Sequence, residues 1–341
     1  MKKIFLIGLT AAAMLASCSN DETVEMAQQK AISFSNAFVN NGTRSIVDPS
    51  FNKDNLTDFA VYGFTQKGQI FNGEKVSKGG AAWSYDNVQY WVPGNTYTFG
   101  AIAPYSVAGN VSNVTLPEGA TKVGMEVAFT NTDANQVDLL HAEPAQITGV
   151  TASYTEPVSM TFNHQLSKVK FSFQNSVGAG YNVKVSNVKI TDAYEKGTLT
   201  VGATENTWSN QTDKALVLNF GNVVADGATA DEASVIAYAA TLESYNEKLM
   251  IPMVSSATYT VTFTVELFKD KVPLGTYNHT VQIKNVEFKL GYCYNFKASL
   301  THKNITGPDE LNEIKFNVTS VENWNKEADK NLNVPTASSG I

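Results

Sequence analysis

Short alternating segments dominate this chain and favour a β fold. Residues 258–268 alternate threonine with apolar side chains, and a period of two is typical of a strand with one buried face. Threonine, valine, tyrosine and phenylalanine favour strands because branched and ringed side chains pack well on a pleated surface. The same alternation recurs in four further segments, residues 169–173, 181–190, 277–283 and 314–318.

Turn signals separate the alternating segments. Glycine, proline and asparagine cluster at residues 40–42, 93–95, 177–180, 195–197 and 306–308. Short strands joined by such turns predict an all-β protein built from β-sandwiches. One helical turn is predicted, at residues 231–238.

The N-terminus reads as an export signal. A basic start is followed by an apolar run over residues 4–16, which is too short to span a bilayer as a stable helix. The run ends in Leu15-Ala16-Ser17-Cys18, which resembles the lipobox of bacterial lipoproteins. Residues 1–17 are therefore predicted to be a lipoprotein signal peptide, and Cys18 the lipidated residue. The alternative is an ordinary secretory signal with a cysteine there by chance.

Residues 18–30 are polar and are predicted to form a flexible tether. Asp21 and Glu22 resemble the surface-export signal of Bacteroides-type lipoproteins, and the alternative is an ordinary solvated tether. Several acyl chains on one cysteine anchor a protein stably. We therefore expect an outer membrane lipoprotein, held through its lipid and exposed at the cell surface.

Cysteine usage and charge limit the remaining possibilities. If Cys18 carries lipid, Cys293 is a lone thiol, so stability must come from large apolar cores, which a hydrophobic fraction of 43% allows. A net charge of −7 without a basic run argues against nucleic acid as a partner. The length suits two domains, predicted at residues 31–157 and 158–325, followed by a tail at residues 326–341.

The sequence offers no recognised catalytic chemistry. Its four histidines have no metal-ligand spacing, and no phosphate loop or nucleophile elbow is present. Asp138 and His141 could join a serine in three dimensions, but any long chain offers such triples. His164 and Lys168 are interpreted as structural residues. We therefore predict no enzyme activity, no metal and no cofactor.

A set of motifs running in order along the chain carries a family resemblance. The motifs are Trp83, Tyr90-Trp91-Val92-Pro93, Ala101-Ile102-Ala103-Pro104-Tyr105, Asp138-Leu139-Leu140-His141-Ala142, Phe162-Asn163-His164 with Lys168, Gly291-Tyr292-Cys293-Tyr294-Asn295-Phe296 and Trp324. Together with the lipobox they resemble the fimbrillin family of Bacteroides-type bacteria, the type V pilins and their Mfa-like relatives. Each motif is weak alone, but the set covers nearly the whole chain.

The resemblance implies a fold and a mode of assembly. Members have two tandem transthyretin-like β-sandwich domains, travel as lipoproteins and assemble into fimbriae at the cell surface. A trypsin-like or Arg-specific protease removes the lipid and the first strand. A strand from another subunit then fills the vacated groove, and an open sheet edge accepts such a strand through main-chain hydrogen bonds and alternating side chains.

The only arginine of the chain marks the predicted cleavage site. Residues 31–39 can form a first strand with Ile32, Phe34 and Phe38 on one face. A short loop follows, and cleavage after Arg44 would leave Ser45 as the mature N-terminus. The alternative is a lysine-biased composition in which the position of the arginine is chance.

The candidate donor strand is the C-terminal tail. Leu332, Val334 and Thr336 fall on one face of an extended segment. Pro335 lacks an amide hydrogen for a strand ladder, and the segment is poor in large apolar residues. A frayed chain end is the alternative, and the position of the subunit in a fibre stays open.

A second class of function competes with the fimbrial subunit. It is a monomeric surface lipoprotein that binds glycans, or another host or bacterial adhesion ligand, through exposed aromatic residues such as Trp91 or Trp208. Against it, aromatic side chains bury large areas and dominate sandwich cores. We therefore expect core positions for Trp83, Tyr90, Trp91, Tyr97 and Phe99.

Overall fold

The structure is a computed structural model, and it describes residues 30–39, 56–80, 82–134, 136–253, 256–307 and 314–323. Most of the described residues lie in strands, so the predicted all-β class is confirmed. Four of the five alternating segments lie within strands as expected, and the fifth, residues 314–318, does so in part because its strand begins at Phe316.

The strands follow one another with few helical interruptions. In chain order they are β1 (Phe34–Val39), β2 (Asp58–Thr65), β3 (Gly68–Gly79), β4 (Ala82–Ser84), β5 (Tyr97–Ala103), β6 (Val111–Thr115), β7 (Gly124–Thr130), β8 (Leu140–Ala142), β9 (Val158–His164), β10 (Ser167–Asn175), β11 (Tyr181–Ala193), β12 (Lys196–Val201), β13 (Asn206–Thr212), β14 (Leu216–Gly221), β15 (Val223–Val224), β16 (Thr241–Ser244), β17 (Lys248–Met250), β18 (Ala257–Lys269), β19 (Val272–Val286), β20 (Tyr292–Leu300) and β21 (Phe316–Asn323).

These strands form four sheets. Sheet A has the order β1-β9-β8-β5-β2-β3-β4, and sheet B has the order β13-β12-β7-β6. Sheet C has the order β15-β16-β10-β20-β21, with β17 also paired to β10. Sheet D has the order β14-β11-β18-β19.

Sheet A packs on sheet B through one of its two faces. Along β2, Ala60 and Tyr62 point to this face, where they join Val127 of β7 and Leu199 of β12 in one buried cluster. Successive side chains of a strand alternate between faces, so Phe59 and its odd-numbered neighbours point the other way.

The second face of sheet A carries an aromatic core. Phe59, Phe71 and Phe99 lie there with Ile32 and Phe34 from the start of the chain. Segments outside the sheet help to cover them, among them the one that carries Trp91 and the one that carries Val150. The first strand therefore contributes to this core directly.

Sheets C and D enclose a separate, larger core. It contains Phe171 and Phe173 of β10, Phe296 of β20 and the buried alternating positions of β11 and β18. The hairpin of β18 and β19 closes through Asp270 and Lys271, both in the left-handed region at φ 51° and 70°. That conformation suits a two-residue hairpin turn.

Strand pairing crosses residue 157, the boundary that the sequence predicts between the two domains. The strand β9 pairs with β1 and β8, while β12 pairs with β7. The domain limits stay a prediction, and a division at this position separates strands that are hydrogen-bonded to each other.

The predicted helical turn at residues 231–238 is wrong. These residues form a turn and an extended stretch, in which Ile236 pairs with Val183 in an isolated bridge. A one-turn helix that the sequence did not suggest, α1 (His302–Thr306), follows β20. Thr301 caps it by accepting from the amide of Asn304.

Candidate functional site

The first described segment of the chain links sheet A to residues 89–91, which lie outside the sheet. On one side, the backbones of residues 30–32 and 89–91 exchange two hydrogen bonds, with N···O distances of 2.8 and 2.9 Å. On the other side, the amide of Val158 donates to the carbonyl of Ser33 at 2.7 Å. Residues 30–34 therefore join β9 to the segment that follows β4.

Two apolar side chains hold this segment in the aromatic core. Ile32 is 1% exposed and Phe34 is 4% exposed. The ring of Phe34 meets four other rings, with centroid distances of 5.9 Å to Phe59, 5.8 Å to Phe71, 5.6 Å to Tyr85 and 6.2 Å to Phe99. All four contacts have the edge-to-face geometry that aromatic pairs prefer.

The space that receives these side chains, which we call the first-strand groove, is built by specific neighbours. The hydroxyl of Tyr85 donates to the carbonyl of Ile32 at 2.6 Å. Burial raises the pKa of Tyr85, which keeps the hydroxyl protonated and able to donate. At Gly63, a Cβ would lie 2.9 Å from the ring of Phe71 and 3.0 Å from that of Phe99. A glycine here lets those rings approach the sheet.

The strand β1 runs parallel to β9, with Phe34 opposite Val158 and Val39 opposite Phe162. The register shifts between Ser35 and Phe38. Parallel pairing is slightly less stable per residue than antiparallel pairing, and β1 is the terminal strand in the order of sheet A. Among the described strands, β1 is therefore held in the sheet by β9 alone.

Several predicted site residues lie outside the described residues. They are Cys18, Arg44, Ser45, Leu332, Val334 and Thr336. Phe38 lies in β1, but its side chain is likewise outside the description. The groove thus contains two of the three residues predicted for the displaced strand, Ile32 and Phe34.

The aromatic motif divides between core and surface. Trp91, Tyr97 and Phe99 are buried, as is Trp208, while Trp83 is half-buried. Tyr90 is 46% exposed, so its predicted core position is wrong. It neighbours the buried Trp91 in an extended segment, where adjacent side chains point to opposite sides. Glycan stacking on Trp91 or Trp208 is excluded in this fold because both rings are covered.

The buried polar residues of the motifs that carry the family resemblance form internal pairs. Nδ1 of His164 lies 2.6 Å from Oδ2 of Asp138, and both side chains are fully buried. The ammonium group of Lys168 lies 3.0 Å from Glu247. Asp138 therefore contacts His164 and not His141, the partner considered from sequence.

The described residues contain neither a metal-binding cluster nor a membrane-spanning helix. Within the described ranges, no group of three histidine, cysteine, aspartate or glutamate residues could hold a metal ion. In the same part of the chain, no helix is long and apolar enough to cross a membrane.

These features define an all-β protein with paired sheets, in which the first strand completes an aromatic core. The chain belongs to the fimbrillin-like family, whose sequence profile matches residues 43–324. Comparison with curated protein sequences gives no match.

Solved structures align with this chain at low sequence identity, and the first of the two below shares its fold. A fimbrial protein from Bacteroides vulgatus aligns with a TM-score of 0.61 and 15% identity, over 86% of this chain and 99% of its own. A candidate cell adhesion protein from Bacteroides ovatus aligns with a TM-score of 0.49 and 16% identity, over 87% of this chain and 98% of its own.

Proposed function

We propose that this protein is a structural subunit of a cell-surface fimbria, exported as a lipoprotein and assembled by strand exchange after proteolysis. Membership of the fimbrillin-like family supports a fimbrial subunit or adhesin, as does the fold shared with a fimbrial protein. The finer mechanism rests on one observation: a terminal strand of sheet A inserts Ile32 and Phe34 into a groove of aromatic rings.

Lipid and protease act in sequence in this proposal. Cys18 carries the lipid that holds the precursor at the outer membrane, and residues 18–30 form the tether. A trypsin-like or Arg-specific protease then cuts after Arg44, between the first strand and Ser45. The cut turns β1 from a segment of the same chain into a separate peptide.

The energetics favour release once the connection is cut. Burial of two large apolar side chains stabilises the bound strand by about 3–6 kcal/mol. A binding free energy of about 4 kcal/mol corresponds to a dissociation constant of about 1 mM. The strand stays in the groove while it is part of the chain, because the connection keeps its local concentration high. After cleavage the released peptide dissociates, since that local concentration falls.

An incoming strand from another subunit meets the same groove. It pairs with β9 and with the backbone of residues 89–91, and it places two apolar side chains among the rings that contact Phe34. The proposed donor is the tail with Leu332, Val334 and Thr336. These side chains are smaller than phenylalanine, so this donor fills the groove only in part.

Protease treatment of the precursor tests the proposal. We expect a trypsin-like protease to produce a chain that starts at Ser45 and forms ladder-like polymers on gels run without boiling. With an Arg-specific protease, the variant Arg44→Ala should stay full-length and monomeric, whereas Lys30→Ala, which changes an exposed cation before the strand, should be cut and polymerise. A cut chain that remains monomeric at high concentration would refute strand exchange.

A further inference from the structure

A polar cavity of about 230 Å³ lies between sheets A and B and shares no residue with the first-strand groove. Five parts of the chain form it: the segment before β7, the strand β8 with the residue after it, the end of β9 with the residue after it, the turn between β12 and β13 with the first residue of β13, and the segment before β20. The side chains that matter for its chemistry are Lys122, His141, Glu143, Gln165, Thr204 and Glu205.

A chain of hydrogen bonds fixes the proton on His141. The amide of Gln165 donates to the carbonyl of Asn163 at 2.8 Å, which leaves its oxygen to accept from Asn206 at 2.9 Å. The same Asn206 amide lies 3.2 Å from Nδ1 of His141. Since that amide is a donor, Nδ1 accepts, and the neutral ring carries its hydrogen on Nε2.

This Nε2–H group lacks an acceptor. Among the described residues, Nε2 of His141 is buried without a hydrogen-bond partner. Buried donors are nearly always satisfied, and His141 lines the cavity, so a ligand oxygen that enters beside the ring would supply the missing acceptor. Burial, with the charge of Lys122 as the smaller cause, lowers the pKa of His141 to about 4, so the ring is uncharged at neutral pH.

The charge and polarity of the wall restrict the ligand. Lys122 and Glu143 neutralise each other in an ion pair of 2.7 Å, so Glu205 gives the cavity one net negative charge. Phosphate, sulfate and sugar acids would be repelled. Leu290 is the one large apolar side chain of the lining, so a lipid or an aromatic ligand would gain little from burial there.

We propose that this cavity binds a neutral, hydroxyl-rich group the size of a single monosaccharide unit, and thus one residue of a glycan. Hydroxyl groups both donate and accept, which matches a wall that offers amide, carboxylate and imidazole groups. Glycan binding here does not depend on strand exchange and does not use the buried rings of Trp91 and Trp208.

The turn between β12 and β13 gives the cavity its rim. At Gly202 a Cβ would lie 2.6 Å from the carbonyl oxygen of Glu205, so the tight turn requires glycine. Thr204 and Glu205 are exposed at this turn. A larger side chain at residue 204 would block the entrance with little effect on the core.

NMR titration of the full-length protein tests the proposal. The probes are glucose, galactose, mannose and N-acetylglucosamine as neutral sugars, with glucuronic acid and N-acetylneuraminic acid as charged ones. Only four histidines occur, so their ring signals locate binding on the molecule. We expect at least one neutral sugar to shift the His141 signals in a saturable way, while those of the exposed His302 stay fixed.

A pair of variants on one hairpin provides the control. Thr204→Trp should weaken sugar binding by about tenfold or more, whereas Thr207→Trp, at an exposed position outside the cavity, should leave it unchanged. Three results would each overturn the proposal: no shift with any neutral sugar, tighter binding of the sugar acids, or equal binding by both variants.

Discussion

Replacement of Phe34 by alanine tests whether the first strand stabilises the precursor. Phe34 is 4% exposed and contacts four rings, and a buried Phe→Ala change lowers the free energy of unfolding by about 3–5 kcal/mol. We expect a value near 3 kcal/mol, since a strand at the end of a sheet can relax. With a urea dependence of about 3 kcal/mol per molar, the midpoint should fall by about 1 M.

The assay is urea unfolding followed by tryptophan fluorescence, because Trp91 lies in the same core as Phe34. The comparison is repeated after cleavage at Arg44 and removal of the released peptide. The wild type and the Phe34→Ala variant then have the same sequence, so their difference should vanish. Phe173→Ala is the matched control, because Phe173 is fully buried in the core of sheets C and D.

The control change should destabilise the chain by a similar amount before and after cleavage. Two outcomes would contradict the role given to the first strand. In one, Phe34→Ala leaves the precursor as stable as the wild type. In the other, the cleaved chain is as stable as the precursor when no donor strand is present.

Three further predictions concern the core, the groove and pH. Gly63→Ala should destabilise the protein by about 1–3 kcal/mol in urea unfolding, since its Cβ would meet the Phe71 ring at 2.9 Å. Tyr85→Phe removes a hydrogen bond to the first strand and should destabilise the precursor by about 0.5–1.5 kcal/mol. The cleaved chain should lose less, since only the weaker contacts at 3.4 Å between this hydroxyl and the backbone of Gln89 remain there. The pKa of His141 is lowered from 6.5 to about 4, so unfolding binds a proton between these values. Stability should therefore fall by up to about 3 kcal/mol from pH 7 to pH 4, and His141→Gln should flatten this dependence while His302→Gln leaves it intact.

Local patterns predicted the strands, because a period of two is a property of neighbouring residues. The segment at residues 258–268 lies within β18, and Ile32 and Phe34 are buried as the alternation in residues 31–39 suggested. Tyr90 shows why residue type alone does not predict burial. Aromatic character favours a core position, but Tyr90 is next to the buried Trp91 in an extended segment, so its side chain points to the opposite side.

Long-range pairing could not be read from the sequence. Alternation indicates which face of a strand is buried, but it does not name the partner strand. The pairing of β12 with β7 across residue 157 is therefore a property of the fold alone. The same holds for the contact of His141 with Asn206, which are 65 residues apart. The polar cavity had no local signal that could have revealed it.

The proposed assembly places two opposing requirements on the first strand. Before assembly it must cover the aromatic core, since exposed apolar grooves and open edges promote aggregation. During assembly it must give way to another strand. Two buried anchors, Ile32 and Phe34, with hydrogen bonds on both sides of residues 30–34, satisfy the first requirement while the strand is attached. Once the chain is cut, the same contacts act between separate molecules, and their free energy must offset the entropy of association. In the proposed mechanism, cleavage after the single arginine, Arg44, therefore decides which of the two requirements governs.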